Sequence, residues 1–180
     1  NLLSITYAKQ NKIDLSIIDE SIKKITNFSD KKKIIIIKST VVPGTTENYS
    51  KKYPKNKFCF NPEFLQETNH LNDFIKADRT IIGADEDNII NEVTELYNNN
   101  FPEIPIYTMD TKSAEMTKYM ANLLLATKVI FANEIYSLCE VMGANYDKVK
   151  KAVIADKRIG NTHLDITEEK GFGGKCFPKD

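Results

Sequence analysis

An α/β fold built on a parallel sheet and continued by one long helix is what the 180 residues predict, and three observations carry that prediction. Ile34-Ile35-Ile36-Ile37 is an unbroken β-branched run, the mark of a strand buried on both faces and therefore of a parallel sheet. Short strand-like and helix-like segments alternate as far as residue 109. From Thr111 to Met142 there is neither glycine nor proline and apolar side chains recur on nearly every face, which describes a single helix of roughly 45 Å.

In chain order, residues 12–27 place Ile13, Leu15, Ile17, Ile18, Ile22 and Ile25 near the helical period, and Lys31–Lys33 form a solvated lead-in to the isoleucine strand. Lys38-Ser39-Thr40-Val41-Val42-Pro43-Gly44 ends that strand, and 45–53 suit a short helix. Phe58-Cys59-Phe60 reads as a second strand stopped by Asn61-Pro62, Thr80–Gly83 as a third, 86–98 as a helix and Pro105–Thr108 as a fourth strand. A helix apolar nearly all round needs partners on several sides, so 111–142 is expected to run through a larger body or a dimer interface. Gly143 is its natural stop; 146–155 make a shorter helix, and 156–175 a polar, glycine-bearing loop.

Composition excludes several classes. Lysine plus arginine number 25 and aspartate plus glutamate also 25, so no global field argues for nucleic acid. No apolar stretch reaches the ~18 residues of a membrane span, and the N-terminus lacks a basic-then-apolar leader, so no membrane is expected and the chain reads as cytoplasmic. Three cysteines at 59, 139 and 176 suit reduced thiols, and His70 and His163 form no metal spacing with them.

The chemistry concentrates at the end. Gly171-Phe172-Gly173-Gly174-Lys175-Cys176-Phe177-Pro178-Lys179-Asp180 sets a thiol on a glycine-rich turn between two lysines, and Pro178 suits the first turn of a helix starting near Cys176. Helix-start and lysine neighbours can bring a thiol from ~8.5 to roughly 3.5–7.5, which makes Cys176 the candidate nucleophile, whereas Cys59 and Cys139 read as core. A Walker loop is excluded, because Glu169 stands where its first glycine belongs and Cys176 where Ser or Thr belongs; G-x-G-x-x-G is absent throughout. Glu115, Lys118 and Asn122 share one side of the long helix, either as a solvated stripe or as two donors able to hold an oxyanion. Glu63, Glu67 and Thr40 sit just past strand ends, where open α/β sheets bind ligands, although surface carboxylates are the default.

Read together, these segments resemble the UDP-glucose/GDP-mannose dehydrogenase family over nearly the whole chain. The resemblance is carried by Lys38–Gly44, Asn61-Pro62-Glu63-Phe64-Leu65-Gln66-Glu67, Ala114-Glu115-Met116-Thr117-Lys118-Tyr119-Met120-Ala121-Asn122, Phe131-Ala132-Asn133-Glu134-Ile135, Arg158-Ile159-Gly160-Asn161 and the terminal cysteine motif. The last has the form of the UDP-glucose branch. The resemblance implies a partial Rossmann-type parallel sheet in residues 1–109, the C-terminal part of an NAD-binding domain, followed by a mainly helical central dimerisation domain in 110–180. It implies NAD as cofactor, a UDP-sugar as substrate and a homodimer through 111–142.

The implied reaction is a two-step oxidation of the C6 alcohol of UDP-glucose to UDP-glucuronate. Cys176 would form the thiohemiacetal and thioester, Lys118 and Asn122 would hold the oxyanion, Asp180 would order water, and Glu63 would serve thioester hydrolysis. Ser39, Thr40, Val41 and Glu67 match positions beside the cofactor. Glu63, Phe64, Leu65, Lys118, Asn122, Arg158, Phe172 and Gly173 match substrate-contacting positions, Arg158 toward a partner subunit. Family members also carry a first Rossmann half and a C-terminal nucleotide-binding domain, so this chain is expected to be a fragment, inactive alone. A non-catalytic dimerisation remnant and a dehydrogenase of another sugar nucleotide, such as GDP-mannose or UDP-N-acetylmannosamine, are the alternatives.

Overall fold

A computed structural model describes residues 7–9, 12–28, 31–65, 70–166 and 171–172. Contacts divide the chain into one unit ending at Tyr119 and a second beginning at Met120.

The first unit opens with a hairpin, β1 (Tyr7–Lys9) against β2 (Lys12–Asp14), antiparallel in the register Tyr7↔Asp14. Helix α1 (Ser16–Phe28) therefore starts four residues later than its periodicity predicts. Ile13 and Leu15 alternate with polar neighbours and fit either period; the Asp14 carboxylate, accepting the Ser16 N–H at 2.9 Å, marks the true entry. Then come β3 (Ile34–Ile37), α2 (Thr45–Lys52), β4 (Lys57–Phe60), α3 (His70–Ile75), β5 (Thr80–Gly83), α4 (Asp87–Asn100) and β6 (Ile106–Met109).

Strands β3 to β6 form one sheet in chain order. The pairs β3/β4 and β5/β6 are parallel, as expected, but β4 and β5 meet antiparallel at the pair Phe60↔Gly83. The sheet is therefore mixed rather than wholly parallel. A run buried on both faces has the same composition in either direction, so the buried Thr80–Gly83 run could not reveal its orientation.

Alternation along the strands sorts the core onto two faces. Ile35, Ile37, Phe58 and Phe60 pack with Ile18 and Ile22 of α1 and Tyr49 of α2, whereas Cys59 and Ile82 pack with Ile89 and Val93 of α4. Helix α5 (Thr111–Met142) has the predicted ends and begins inside this unit. Its first turn is held by Asp85, whose carboxylate accepts the Thr111 N–H and hydroxyl, each at 3.1 Å. Gly83 makes the approach possible, since a Cβ there would stand 2.4 Å from that of Ala114.

The second unit contains the rest of α5 and α6 (Tyr146–Val153), capped by the Asn145 side chain accepting the Lys148 N–H at 2.9 Å. Tyr136 of α5 meets Tyr146 of α6 edge to face, and the Tyr146 hydroxyl donates to the Leu164 carbonyl at 2.8 Å. Met120, Leu124, Phe131, Val141 and Met142 are exposed along α5. Among the described residues no helix is long and apolar enough to cross a membrane.

Candidate functional site

Three pieces of the first unit bring candidate residues together: the turn after β3, the turn after β4, and the start of α5. The turn after β3 carries Ser39, half-buried, and Thr40, buried. Val41 is fully buried in the apolar core, so its backbone is what it can offer a ligand. Gly44 closes the turn in the left-handed region at φ 94°, a conformation that disfavours a side chain, and stands at the N-cap of α2.

That N-terminus has an unexpected partner. Glu115 of α5 is fully buried; its carboxylate accepts from the Gly44 N–H, the Thr46 N–H at 2.8 Å and the Thr46 hydroxyl at 2.6 Å. Its oxygens satisfy otherwise orphaned helix donors and sit at the positive end of the helix dipole. Burial pushes the carboxyl up from its ordinary range, against the three hydrogen bonds that pull it down. Of the two readings of the Glu115, Lys118 and Asn122 stripe, the solvated one fails: Glu115 and Asn122 are buried and Lys118 half-buried. Beside the cap, Lys112 pairs with Glu47 of α2 at 2.7 Å.

The turn after β4 is organised by Asn61. Its N–H donates to the Ile37 carbonyl at 2.9 Å and its side-chain amide to the Ile81 carbonyl at 2.7 Å. Its side-chain oxygen accepts the Lys38 ammonium at 2.7 Å and the Tyr97 hydroxyl. Burial lowers the Lys38 pKa, against the opposing charge of Glu63. Burial also pushes Tyr97 up to about 12, so it is a neutral donor, and Cys59 up to about 12, which makes that thiol unreactive.

Beyond Asn61, Glu63, Phe64 and Leu65 are half-buried and line a cavity of about 220 Å³ with Lys38, Arg79 and Tyr97. Phe64 is a cation platform. The Arg79 guanidinium lies 4.3 Å from its ring centroid and the Lys118 ammonium 4.8 Å, both inside cation–π range. The structure thus sets Lys118 on the ring of Phe64, the residue after Glu63, within one unit.

In the second unit Asn122 is buried on α5 one turn beyond Lys118. Arg158 is exposed and folds back on Asp156, its Nε donating to Oδ1 at 3.0 Å, which raises its pKa further. Phe172 is half-buried. Glu67, Gly173, Cys176 and Asp180 lie outside the described residues, as does the helix expected at Cys176. No group of three metal-ligating side chains occurs among the described residues. The sequence reading passed over Tyr97, Arg79 and the side chain of Lys38; a lysine directly following a four-isoleucine strand was the available signal, since a cation there must be buried against a partner.

Strand, crossover helix and strand, with polar turns at the carboxyl ends of β3 and β4, define an α/β protein whose sheet leads into a long helix and whose strand ends lie where open sheets of this kind bind ligands. Residues 6–101 match the NAD binding domain of the UDP-glucose/GDP-mannose dehydrogenase family, and residues 112–180 match its central domain. The chain belongs to that family. It is 40% identical over 174 residues to a UDP-glucose 6-dehydrogenase of Rickettsia bellii, covering 93% of this chain and 39% of the relative. A UDP-glucose dehydrogenase from the hyperthermophilic archaeon Pyrobaculum islandicum superposes with a TM-score of 0.86 at 32% identity, over 96% of this chain and 41% of that one. A GDP-mannose dehydrogenase from Pseudomonas aeruginosa superposes with a TM-score of 0.77 at 25% identity, over 98% and 43%. The chain thus spans about 39% of the length of the curated relative.

Proposed function

We propose that this chain is the middle portion of an NAD-dependent oxidoreductase that converts the C6 alcohol of UDP-glucose to the carboxylate of UDP-glucuronate. In this reading residues 1–109 are the C-terminal share of the NAD-binding domain and 110–180 the central domain. The observation that carries it is the meeting of Lys118 with Phe64, next to Glu63. A cation and a carboxylate at one strand end are the pair that a thioester route needs at its oxyanion and at its water.

The turn after β3 suits one wall of the cofactor site: Ser39 and Thr40 follow the carboxyl end of a parallel pair, while the glycine-rich phosphate loop belongs to family segments this chain does not span. NAD, when bound, accepts the hydride of each oxidation. Cys176 as thiolate adds to the aldehyde carbon formed first, and loss of the second hydride leaves a thioester. The developing oxygen charge faces the ammonium of Lys118 and the amide of Asn122, where loss of one such donor typically costs ~10²–10³ in rate. Water then attacks the acyl carbon, the C–S bond breaks with its electron pair returning to sulfur, and the water proton passes to Glu63. Asp180 orders that water, Glu67 lines the cofactor side, and Phe172 and Gly173 cover the sugar nucleotide.

The exposed apolar side chains of α5 support a homodimer through 111–142, with Arg158 released from Asp156 to reach the partner's substrate. Those same side chains favour the second reading, a dimerisation remnant without catalysis. Supplying the N- and C-terminal family segments to the 180-residue chain decides between them. The expected result is two NADH per UDP-glucose consumed, abolished by Cys176→Ser, with no NADH from the chain alone. A complemented protein that binds its segments and stays inert overturns the enzyme reading; faster turnover of GDP-mannose would reassign the substrate.

A further inference from the structure

Lys38 precedes Ser39 and Thr40, assigned to the cofactor side, and has no part in the reaction as drawn, yet its ammonium meets several elements of the first unit. Its ammonium reaches the Asn61 side-chain oxygen at 2.7 Å, the Asn61 carbonyl at 3.5 Å and the Tyr97 hydroxyl at 3.4 Å, and lies 5.5 Å from the Phe74 ring centroid. Four elements, β3, the turn after β4, α3 and α4, thus meet at one half-buried charge. Burying a lysine is costly, and an apolar residue of similar length would serve the core as well or better. Glu63 lines the same 220 Å³ cavity, two residues beyond the Asn61 that Lys38 holds.

We propose that Lys38 is a positioning residue for Glu63: anchored on Asn61 and Tyr97, its ammonium holds the Asn61–Leu65 turn and directs the Glu63 carboxylate to the water that hydrolyses the Cys176 thioester. This rests on the oxidoreductase reading above and deepens it. Pro62, between the anchored Asn61 and Glu63, has a fixed φ and transmits the anchor to the carboxylate with little slack. Tyr97 is a second anchor on the same oxygen. Asp73, Asp78 and Arg79 line the same cavity, and the Arg79 guanidinium, 4.3 Å from the ring of Phe64, is a second cation on this turn that leaves the Asn61 anchor to Lys38 and Tyr97.

The role is specific to one step. The proposed reaction gives Lys38 no part in hydride transfer or thiolate attack, so its removal should slow release of the acyl group and leave formation of the acyl group intact. The test follows single-turnover NADH release and the intact mass of the acid-quenched protein, in the complemented 180-residue chain. Lys38→Met is expected to keep the first-turnover NADH burst and to slow steady-state turnover about 10-fold to 100-fold, the range that a misplaced catalytic group costs. The Cys176 acyl adduct should accumulate as a mass increase. Lys38→Arg should restore turnover to within about 3-fold, and Tyr97→Phe, which removes one hydroxyl and preserves packing, should show the same adduct more weakly.

Equal slowing of burst and steady state in Tyr97→Phe and Lys38→Met, or no adduct in either, overturns the inference while leaving the oxidoreductase reading in place. Should Lys38→Met not fold, Tyr97→Phe alone decides by the same criterion. An unsubstituted complemented protein that releases no NADH overturns the parent reading and this inference with it.

Discussion

The two parts of α5 are built by opposite means. Up to Tyr119 the helix is tied down by polar groups of other elements: Asp85 holds Thr111, Glu115 caps α2 and Lys112 pairs with Glu47. From Met120 onward its buried positions are mostly small or polar, Ala126, Ala132, Asn133 and Cys139, while its large apolar side chains face outward. The first part is an anchored platform whose geometry is set from within the chain. The second part leaves large apolar side chains exposed, Val141 at 86% although valine ordinarily prefers the interior. A helix can be rigid at its base and interactive along its length because these two needs fall on different turns.

Glu115→Ala should break the platform most severely. It leaves the Gly44 and Thr46 N–H groups and the Thr46 hydroxyl without their acceptor, at a cost of about 3–5 kcal/mol in urea unfolding. A loss below about 1 kcal/mol would mean that water replaces the carboxylate and that the anchor is dispensable.

Gly83→Ala comes next. Its Cβ would collide with Ala114, destabilising by about 1–3 kcal/mol, and Ala114→Gly should recover most of that in the double variant. Additive losses in the two variants would show that the close approach is not the cause.

The two carboxylates of the α2 junction should titrate with opposite signs, which sharpens the comparison further. Glu115 has its folded pKa raised by burial, so the folded state holds its proton more tightly and stability falls as pH rises from the ordinary carboxylate value to the raised one. Glu47 is lowered to about 2 by hydrogen bonds from Lys112 and Lys51, so its contribution is complete above the ordinary value and is lost as pH falls toward about 2. Glu115→Gln should flatten the first slope and Glu47→Gln the second in unfolding measured across pH; a single shared slope removed by either variant would contradict the assignment.

The smallest effect on folding belongs to the second part. Phe131→Glu should leave unfolding within about 0.5 kcal/mol, because the ring is already exposed, while weakening self-association in sedimentation. A loss of several kcal/mol in the monomer would show that the ring is a core residue instead.

The legible features were those that composition dictates. The ends of α5 follow from an uninterrupted run between Asp110 and Gly143, and Ile34–Ile37 can be little else than a buried strand. The direction of β5 was illegible, since Thr80–Gly83 reads alike up or down the sheet, and so was the short α3, which has too few residues to show a period. At the site, Glu63 and Lys118 could be singled out by type and spacing, and their approach through Phe64 is long-range geometry that no local pattern encodes. Glu115 was grouped with Lys118 and Asn122 by helical spacing, whereas its partners lie 69 to 71 residues away in sequence.

The antiparallel step between β4 and β5 has a last consequence. Backbone pairing there amounts to Phe60↔Gly83, and the neighbouring bridge, Asn61 to the Ile81 carbonyl, belongs to a side chain. Half of the polar closure at that seam is therefore written in the codon for residue 61, and an aspartate or serine arising there by one nucleotide change would leave the Ile81 carbonyl without its amide donor, at about 1–3 kcal/mol, where elsewhere in the sheet the main chain supplies the bond whatever the side chain.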